Sequence, residues 1–398
     1  MKKIGLFLES APNSGGTFQY NQAMLAAVAG LPSDRYSVVV GYTSELWLSY
    51  LAGYDLQSVY VPGGFWSRAF GLGWLLLSLP MGLWRKLSPL FHPMAKVLLR
   101  EKCDLWIFPS QDARSFQIPV PALVSIHDLM HRYERRFPES ASWWNHLNRE
   151  RSYVNICRWA EGVLVDSEIG RQQVVECYGM PAERLHLLPF IAPHYIQHSL
   201  TPCDFDQRYQ LPGKYLFYPA QFWEHKNHKN LIKAIATVKN KLPDIKLVLA
   251  GPKDKTFPEI AAVVHKLGLA DAVLFPGYVP DSDMAELYRR ARALVMPTYY
   301  GPTNIPPLEA FTMGCPVAVS DIFGSRRHYG NAALYFNPDS VEEIADCIMR
   351  LWKDDLLCAS LVEHGKIWVS RWGQQEFNKR VREVIDSATE TASSWISR

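Results

Sequence analysis

Three short stretches of this chain combine residue types that can bind phosphate or sugar. The first, Ser14-Gly15-Gly16-Thr17, follows a short apolar run and precedes a helical pattern from Gln22 to Val28. Paired glycines let backbone amides approach an anion, and a helix N-terminus adds partial positive charge. The same turn also serves as a plain strand-to-helix connection. The second, Tyr218 to Asn227, ends in Lys226-Asn227 ahead of a helical run from Asn230 to Val238. A lysine placed there either neutralises a phosphate as a point charge or is an ordinary surface lysine. The third runs from Pro297 through Gly301, Thr303, Asn304, Ile305, Pro306 and Pro307 to Glu309. Here a strand ends, a polar loop follows, and a helix opens with proline in its first turn, where a missing amide costs least. Amides of that turn can bind a diphosphate. Glu309, read as part of the same turn, either accepts hydrogen bonds from two vicinal ribose hydroxyls or complements the helix dipole.

Positioning such turns calls for strands that end in one plane. Short β-branched or aromatic runs alternate with longer helical patterns, the signature of parallel βα units. A first series comprises residues 4–9, 37–42, 58–61, 105–108, 123–126, 162–165 and 185–188. A second comprises 215–219, 246–250, 273–275, 294–296, 317–320 and 334–336. The stretch from Pro189 to His194 reads as a linker. Two series predict an α/β protein with two doubly wound Rossmann-like domains, residues 1–192 and residues 193–375. The C-terminal helix, about 376–398, is expected to pack back on the first domain. Ligands of such sheets bind beyond the carboxyl ends of the strands, so a central cleft facing both domains is the expected site. Neither series carries Gly-x-Gly-x-x-Gly or a P-loop, which argues against dehydrogenases and NTPases.

Composition narrows the class further. A chain of 398 residues with 48% hydrophobic and 20% charged residues is globular and too long for one ordinary core. A net charge of +3 is too weak for wholesale nucleic-acid binding. Seven scattered cysteines, none in Cys-x-x-Cys spacing, read as reduced core residues rather than a zinc site. The N-terminal apolar run is too short for a secretory signal. Ala69 to Trp84 is the most apolar stretch, short of the about 20 residues that span a bilayer, with Arg68, Arg85 and Lys86 at its shoulders. It reads either as a buried helix pair or as an interfacial segment.

Taken together, these landmarks resemble the family 4 glycosyltransferases, retaining enzymes of GT-B architecture that use nucleotide-sugar donors, and within them the mannosyltransferase-like bacterial surface-polysaccharide branch. The resemblance covers nearly the whole chain. Its most specific parts are Pro306-Pro307-Leu308-Glu309-Ala310, Gly314-Cys315-Pro316-Val317-Ala318-Val319-Ser320, Gly330-Asn331-Ala332-Ala333 and Asn337-Pro338. Lys226-Asn227, Ala250-Gly251, Phe275-Pro276-Gly277-Tyr278-Val279, His127-Asp128 and Asp166-Ser167-Glu168 also fall in place. The resemblance implies that Gly15 and Gly16 lie against the diphosphate or the transferring sugar. It implies that Lys226 grips the phosphates, Glu309 the ribose, and the backbone from Gly277 to Val279 the base, with His127 facing the sugar. His127, Lys226 and Glu309 are thus the catalytic candidates.

Two positions depart from the family pattern. Gly301 stands where the family has a second glutamate, so sugar contacts are expected from Thr303, Asn304 and Ile305. Gln221 stands where an arginine usually accompanies the lysine, which shifts the burden to Lys226, helix-terminus amides and Arg326 or Arg327. Asp281-Ser282-Asp283 resembles a metal-diphosphate motif of a different architecture. Its place before Met284 to Arg290 reads instead as a helix start with Asp283 and Glu286 in capping positions. The resemblance to mannosyltransferases of this family implies that Asp281 accepts the N1–H and N2–H₂ donors of guanine.

The function implied is retaining transfer of a hexose, mannose or a mannose-derived deoxyhexose, from a GDP-sugar to a hydroxyl of a growing lipid-linked glycan. No resident cofactor, metal or nucleic acid is implied. The expected location is cytoplasmic, peripheral on the inner face of the cytoplasmic membrane, with His131 to Arg136 and the apolar run handling the acceptor. The alternatives are a UDP-sugar-dependent transferase of the same fold and a catalytically decayed partner in a glycan-assembly complex.

Overall fold

The computed structural model describes the whole chain except residues 11–14, 64–68, 71–72, 75–78, 139–141, 199–201, 302 and 397–398, and the side chains at 197–198 and 391–396. Ser14, Trp66, Arg68, Pro302 and much of the apolar run after Ala69 therefore lie outside the described residues.

The chain divides into two compact units. The first comprises Met1–Leu129, Trp143–Pro189 and Gln374–Arg398; the second comprises Met130–Ser142 and Phe190–Gly373. In the first unit seven strands form one parallel sheet: β1 (Lys2–Leu8), β2 (Tyr36–Tyr42), β3 (Gln57–Tyr60), β4 (Leu105–Phe108), β5 (Ala122–Ile126), β6 (Gly162–Val165) and β7 (Leu185–Leu187). Their order is β3-β2-β1-β4-β5-β6-β7. In the second unit six strands do the same: β8 (Leu216–Pro219), β9 (Leu247–Ala250), β10 (Val273–Gly277), β11 (Ala293–Met296), β12 (Val317–Ser320) and β13 (Leu334–Phe336). The order there is β10-β9-β8-β11-β12-β13. Every strand run read from the sequence is present, with ends displaced by a residue or two.

The strands are legible because helices cover both faces of each sheet. Residues of β4, β6, β9, β11 and β12 are buried on both sides, so they read as unbroken apolar runs. In each sheet the chain departs in opposite directions from a central pair, β1 and β4 in the first, β8 and β11 in the second. Loops leaving such a pair splay apart and open a crevice at the carboxyl ends.

The terminal helix Gln374–Ile396 belongs to the first unit, burying Phe377, Val381, Val384, Ile385 and Ala388. Its Asp386 accepts from Tyr36 Oη at 2.6 Å and pairs with Lys2 Nζ at 3.1 Å. Residues 130–142 differ from the reading of 1–192 as one continuous domain, because they pack with the second unit. The reason is aromatic and ionic. Phe137 packs on Tyr299 with ring centroids 4.8 Å apart, and Arg136 lies over the Tyr299 ring at 4.8 Å while pairing with Glu134 and Asp339. Arg136 is thus committed to a loop of the second unit rather than standing free for an acceptor.

Candidate active site

In the second unit the site grows from the turn after β8. A single 3-10 turn, Glu224–Lys226, leads into the helix His228–Lys239 through Asn227, whose φ of 59° is left-handed. Asn227 sustains that conformation by donating from Nδ2 to the carbonyls of Pro297 (3.0 Å) and Pro338 (2.8 Å). Tyr218 Oη donates to the Lys226 carbonyl at 3.0 Å. The amide of Tyr299 donates to the His225 carbonyl at 2.9 Å, and the His225 ring stacks on Tyr300 at 4.0 Å. These bonds sew the turn after β8 to the loop after β11. They give Lys226-Asn227 and Asn337-Pro338 one shared structural purpose: to fix where the Lys226 side chain starts. Burial first, then the Lys226 charge, depresses His225 to about 2 and His228 to about 3. Both imidazoles stay neutral, so the positive charge of this turn rests on Lys226. Gln221 lies half-buried in the same turn.

The loop after β11 leads into the helix Ile305–Thr312, with Asn304 at its N-cap and prolines in its opening turn. Thr303 is buried and Ile305 half-buried. Gly301 has φ +81°, and a Cβ there would fall 2.9 Å from Asn304 Nδ2. The Asn304 amide thus fills the space a side chain at 301 would take, donating to the Gly301 carbonyl. The asparagine expected to contact the sugar is turned onto its own loop, beside the α-carbon of Gly301.

Glu309 falls in the second turn of this helix, not the first, so it does not complement the helix dipole. It is 4% exposed. Tyr288 Oη donates to Oε2 at 2.6 Å, and Tyr195 Oη donates to Oε1. Burial pushes its carboxyl up to about 7, with the Asp281 charge adding to the rise and the two tyrosines opposing it. Asp281 is thereby placed within electrostatic reach of Glu309; it is the first residue of the helix Asp281–Arg290. Just before it, β10 ends at Gly277, whose carbonyl accepts from the Gly251 amide at 2.9 Å, followed by exposed Tyr278 and buried Val279.

Asp283 does not cap. Fully buried, it accepts from Arg208 through both oxygens and from Tyr209 Oη at 2.6 Å. The helix begins two residues before it, and Glu286 pairs with Arg289 and Arg290. Arg326 pairs with Asp321 at 2.7 Å and covers the Tyr335 ring at 4.7 Å, its side chain 66% exposed.

The remaining candidates sit in the first unit. Gly15, with φ +70°, caps the helix Gly16–Ala29, and among the described residues nothing lies within 4 Å of where its Cβ would stand. Both Gly15 and Gly16 are exposed. His127 follows β5; its Nε2 lies 2.8 Å from the Pro109 carbonyl, its ring meets Tyr20 edge-on at 5.0 Å, and burial lowers its pKa. Ser167 of Asp166-Ser167-Glu168 caps the helix Glu168–Tyr178, its Oγ accepting from Gly170 N at 3.1 Å. Arg85 is no free cationic shoulder, since it donates to the Phe116 carbonyl at 2.9 Å and lies over Trp159 at 5.0 Å. The second unit therefore gathers Gln221, Lys226, Thr303, Asn304, Ile305, Glu309 and the Gly277–Asp281 segment at the carboxyl ends of β8, β10 and β11. Gly15, Gly16 and His127 stand at the ends of β1 and β5. Sequence reasoning missed Tyr195 and Tyr288, whose only signal is a hydroxyl on an aromatic ring.

Residues 204–368 match the family model described as Glycosyl transferases group 1. The chain is 28% identical over 203 residues to O-antigen chain mannosyltransferase B of Escherichia coli, covering 49% of this chain and 52% of that protein. It is 26% identical over 271 residues to mannosylfructose-phosphate synthase of Agrobacterium fabrum, covering 62% and 59% respectively. The chain thus spans little more than half the length of these relatives. Its fold is similar to the crystal structure of Anabaena Alr3699/HepE in complex with UDP and glucose, with a TM-score of 0.73, 18% identity, and coverage of 97% of this chain and 100% of that one. The two parallel sheets are those of the GT-B architecture, and the residues that match the glycosyl transferases group 1 model, 204–368, lie within its second unit.

Proposed function

We propose that the chain transfers a hexose from a nucleotide-diphosphate sugar to a hydroxyl of a growing surface glycan, with retention at the anomeric carbon. The observation that carries this reading is the fixed placement of Lys226 beside the loop leading to Glu309, inside the matched domain. Loss of the diphosphate builds negative charge on the departing oxygen. Lys226 and the amides opening the helices His228–Lys239 and Ile305–Thr312 are preorganised to meet that charge. The anomeric C–O bond to phosphate breaks, the acceptor oxygen bonds to the same face, and the leaving phosphate takes the acceptor proton. His127 positions the sugar. Glu309 accepts the ribose hydroxyls; half-buried Tyr195 is the partner that yields to them, while fully buried Tyr288 stays.

The donor in this reading is a GDP-sugar, GDP-mannose or a deoxyhexose derived from it. Asp281 is the residue whose carboxylate accepts both guanine donors. The mannosyltransferase name of the Escherichia coli relative supports the sugar. UDP-sugar use is the second reading, favoured by the UDP and glucose bound in the Anabaena neighbour. Activity needs no metal: Asp283, half of the apparent metal motif, has both oxygens engaged by Arg208. The acceptor is a lipid-linked glycan met at the inner face of the cytoplasmic membrane, with the protein peripheral. Among the described residues no helix is long and apolar enough to cross a bilayer.

Titration calorimetry with GDP, UDP, GDP-mannose and UDP-glucose in EDTA tests this reading. Tighter binding of GDP than UDP, with the preference abolished in Asp281→Ala, is expected. Equal binding ends the guanine claim, and no binding of any of the four ends the transfer claim.

A further inference from the structure

The segment Met130–Ser142 lies in sequence between β5 and β6 of the first sheet, yet it packs with the second unit. Its anchor there is Phe137, 9% exposed. The Phe137 ring meets Tyr299 at 4.8 Å and Tyr300 at 6.3 Å, so one side chain covers two consecutive rings of the loop after β11. Tyr300 in turn lies flat on the His225 ring, 4.0 Å away and 9° from parallel. Trp223 approaches His225 at 5.4 Å. These rings form an aromatic column, Phe137–Tyr300–His225–Trp223, that starts on the segment and ends in the turn carrying Lys226.

Backbone bonds run beside the rings. The His225 carbonyl accepts from the Tyr299 amide at 2.9 Å and from Thr298 Oγ1 at 3.3 Å. Tyr299 Oη accepts from Asn230 Nδ2 at 3.2 Å, and Asn230 belongs to the helix that Lys226 precedes. The Lys226 amide donates to the Trp223 carbonyl at 3.0 Å. The ionic contacts of the segment lie on its outside. Arg136 pairs with Glu134 and reaches Asp339 at 3.4 Å, with the Arg136 and Asp339 side chains 55% and 56% exposed. Exposed pairs of this kind contribute little, so the buried ring is the part of the segment able to transmit position.

A cation that meets a leaving group has to be held to within about 0.5 Å by the residues behind it. Behind Lys226, Tyr218 and the left-handed Asn227 fix one side of the turn. The aromatic column fixes the other. We infer that Phe137 is a positioning residue for Lys226, holding through Tyr299, Tyr300 and His225 the turn from which the lysine reaches the diphosphate. The task of the lysine rests on the transfer reading, whereas the hold of Phe137 on its turn does not. A residue that merely filled space would weaken the fold without regard to whether Lys226 is present.

A double-variant cycle on the full chain separates these two roles. Affinity for GDP and UDP is titrated in the unaltered chain, Phe137→Ala, Lys226→Ala and the double variant. Phe137→Ala is expected to weaken the tighter nucleotide by about fivefold or more and to add nothing in the Lys226→Ala background, since a lysine that is gone cannot be misplaced. Phe137→Tyr keeps the ring and should stay within about twofold of the unaltered chain. Phe137→Leu keeps apolar bulk without the ring, should fall between, and replaces the alanine in the cycle if that variant does not fold. A second readout needs no nucleotide: acetylation of the Lys226 amine by an N-hydroxysuccinimide ester, followed by peptide mass spectrometry. The rate at Lys226 should rise by about threefold or more in Phe137→Ala as the turn loosens, while exposed Lys353 reacts as before. Losses that add in the double variant, an affinity unchanged in Phe137→Ala, or an unchanged acetylation rate at Lys226 overturns the assignment. Failure of the unaltered chain to bind either nucleotide ends the transfer reading, and the acetylation rates then decide the positioning role alone.

Discussion

The crevices at the two switch points are built alike and charged differently. At the pair β8 and β11 the histidines are held neutral by burial and the charge presented is that of Lys226. At the pair β1 and β4 the Arg114 guanidinium is matched by the Asp112 carboxylate, and burial together with the Asp112 charge pushes Glu9 up to about 8, so the charges there cancel near neutral pH. The same topology thus yields one crevice that presents a cation and another whose charges compensate one another. The strand order opens the crevices, and the first residues after each strand decide what enters.

The largest effect should come from removing the cation of the second unit. Lys226→Ala is expected to lower transfer by about a hundredfold or more, the usual scale for deleting one group that stabilises developing negative charge. Stability should change little, because Tyr218 and Tyr299 bond to backbone carbonyls of this turn rather than to the lysine side chain. A steady-state rate and a melting curve on the same sample check both halves. If the rate holds, Lys226 is a surface lysine and the contrast between the crevices collapses.

Glu309 comes next, and pH makes its prediction sharp. Its carboxyl is raised from the ordinary carboxylate range to about 7, chiefly by burial. The folded protein therefore holds a proton there that the unfolded chain gives up near 4.5. Between those values the native state binds more protons, so this group's contribution to stability falls as pH rises from about 4.5 through 7. Donor binding should move the other way, improving as the carboxylate forms through about 7. Glu309→Gln should weaken the donor by about tenfold, the scale of one charge-assisted hydrogen bond, and flatten both pH dependences. Calorimetry at pH 6, 7 and 8, with parallel denaturant melts, reads the two trends. A donor affinity that stays level across that range in the unaltered chain removes Glu309 from the ribose.

These contrasts were unequally visible in the sequence. The strands were legible because double burial forces apolar, β-branched runs bounded by polar turns, and β4, β9 and β12 could hardly read otherwise. The positions of Lys226 and Glu309 follow from residue types just after β8 and β11. Their partners do not. Tyr195 precedes Glu309 by 114 residues, and no spacing rule links a tyrosine to a carboxylate across a fold. The Asp283 expectation failed for a related reason. Asp283 and Glu286 do have capping-box spacing, but helix Asp281–Arg290 starts earlier and Arg208, far back in the chain, claims the carboxylate. The Glu9–Arg114 pair was invisible because only the adjacency of β1 and β4, strands separated by two others in sequence, brings it together. Local pattern reports elements; it reports side-chain partners only when they share an element.

A smaller effect is expected at Gly301. Alanine there must adopt φ +81° and meets Asn304 within 3.3 Å, so Gly301→Ala should cost about 1–2 kcal/mol of stability. Chemical denaturation measures it. Pairing it with Asn304→Gly should recover the steric part and leave the backbone part. Full recovery would mean that the side-chain collision alone excludes a larger residue, and no cost in the single variant would mean that the loop is free to accept one.

Arg326 should matter least, and that is what makes it a useful control for Lys226. Both were candidates for the diphosphate, and both are cations at the carboxyl end of the second sheet. Arg326, however, already pairs with Asp321 and covers the Tyr335 ring, with a side chain 66% exposed. An exposed ion pair of this kind contributes little and is screened by salt. Arg326→Gln should therefore change donor affinity by no more than about twofold at physiological salt, against the far larger loss at Lys226. Measured at low and high salt, the small difference should shrink further as screening grows. A loss comparable to that of Lys226→Ala, persisting at high salt, would show that Arg326 leaves Asp321 to grip the donor. The positive charge of the second crevice would then be shared between the two residues.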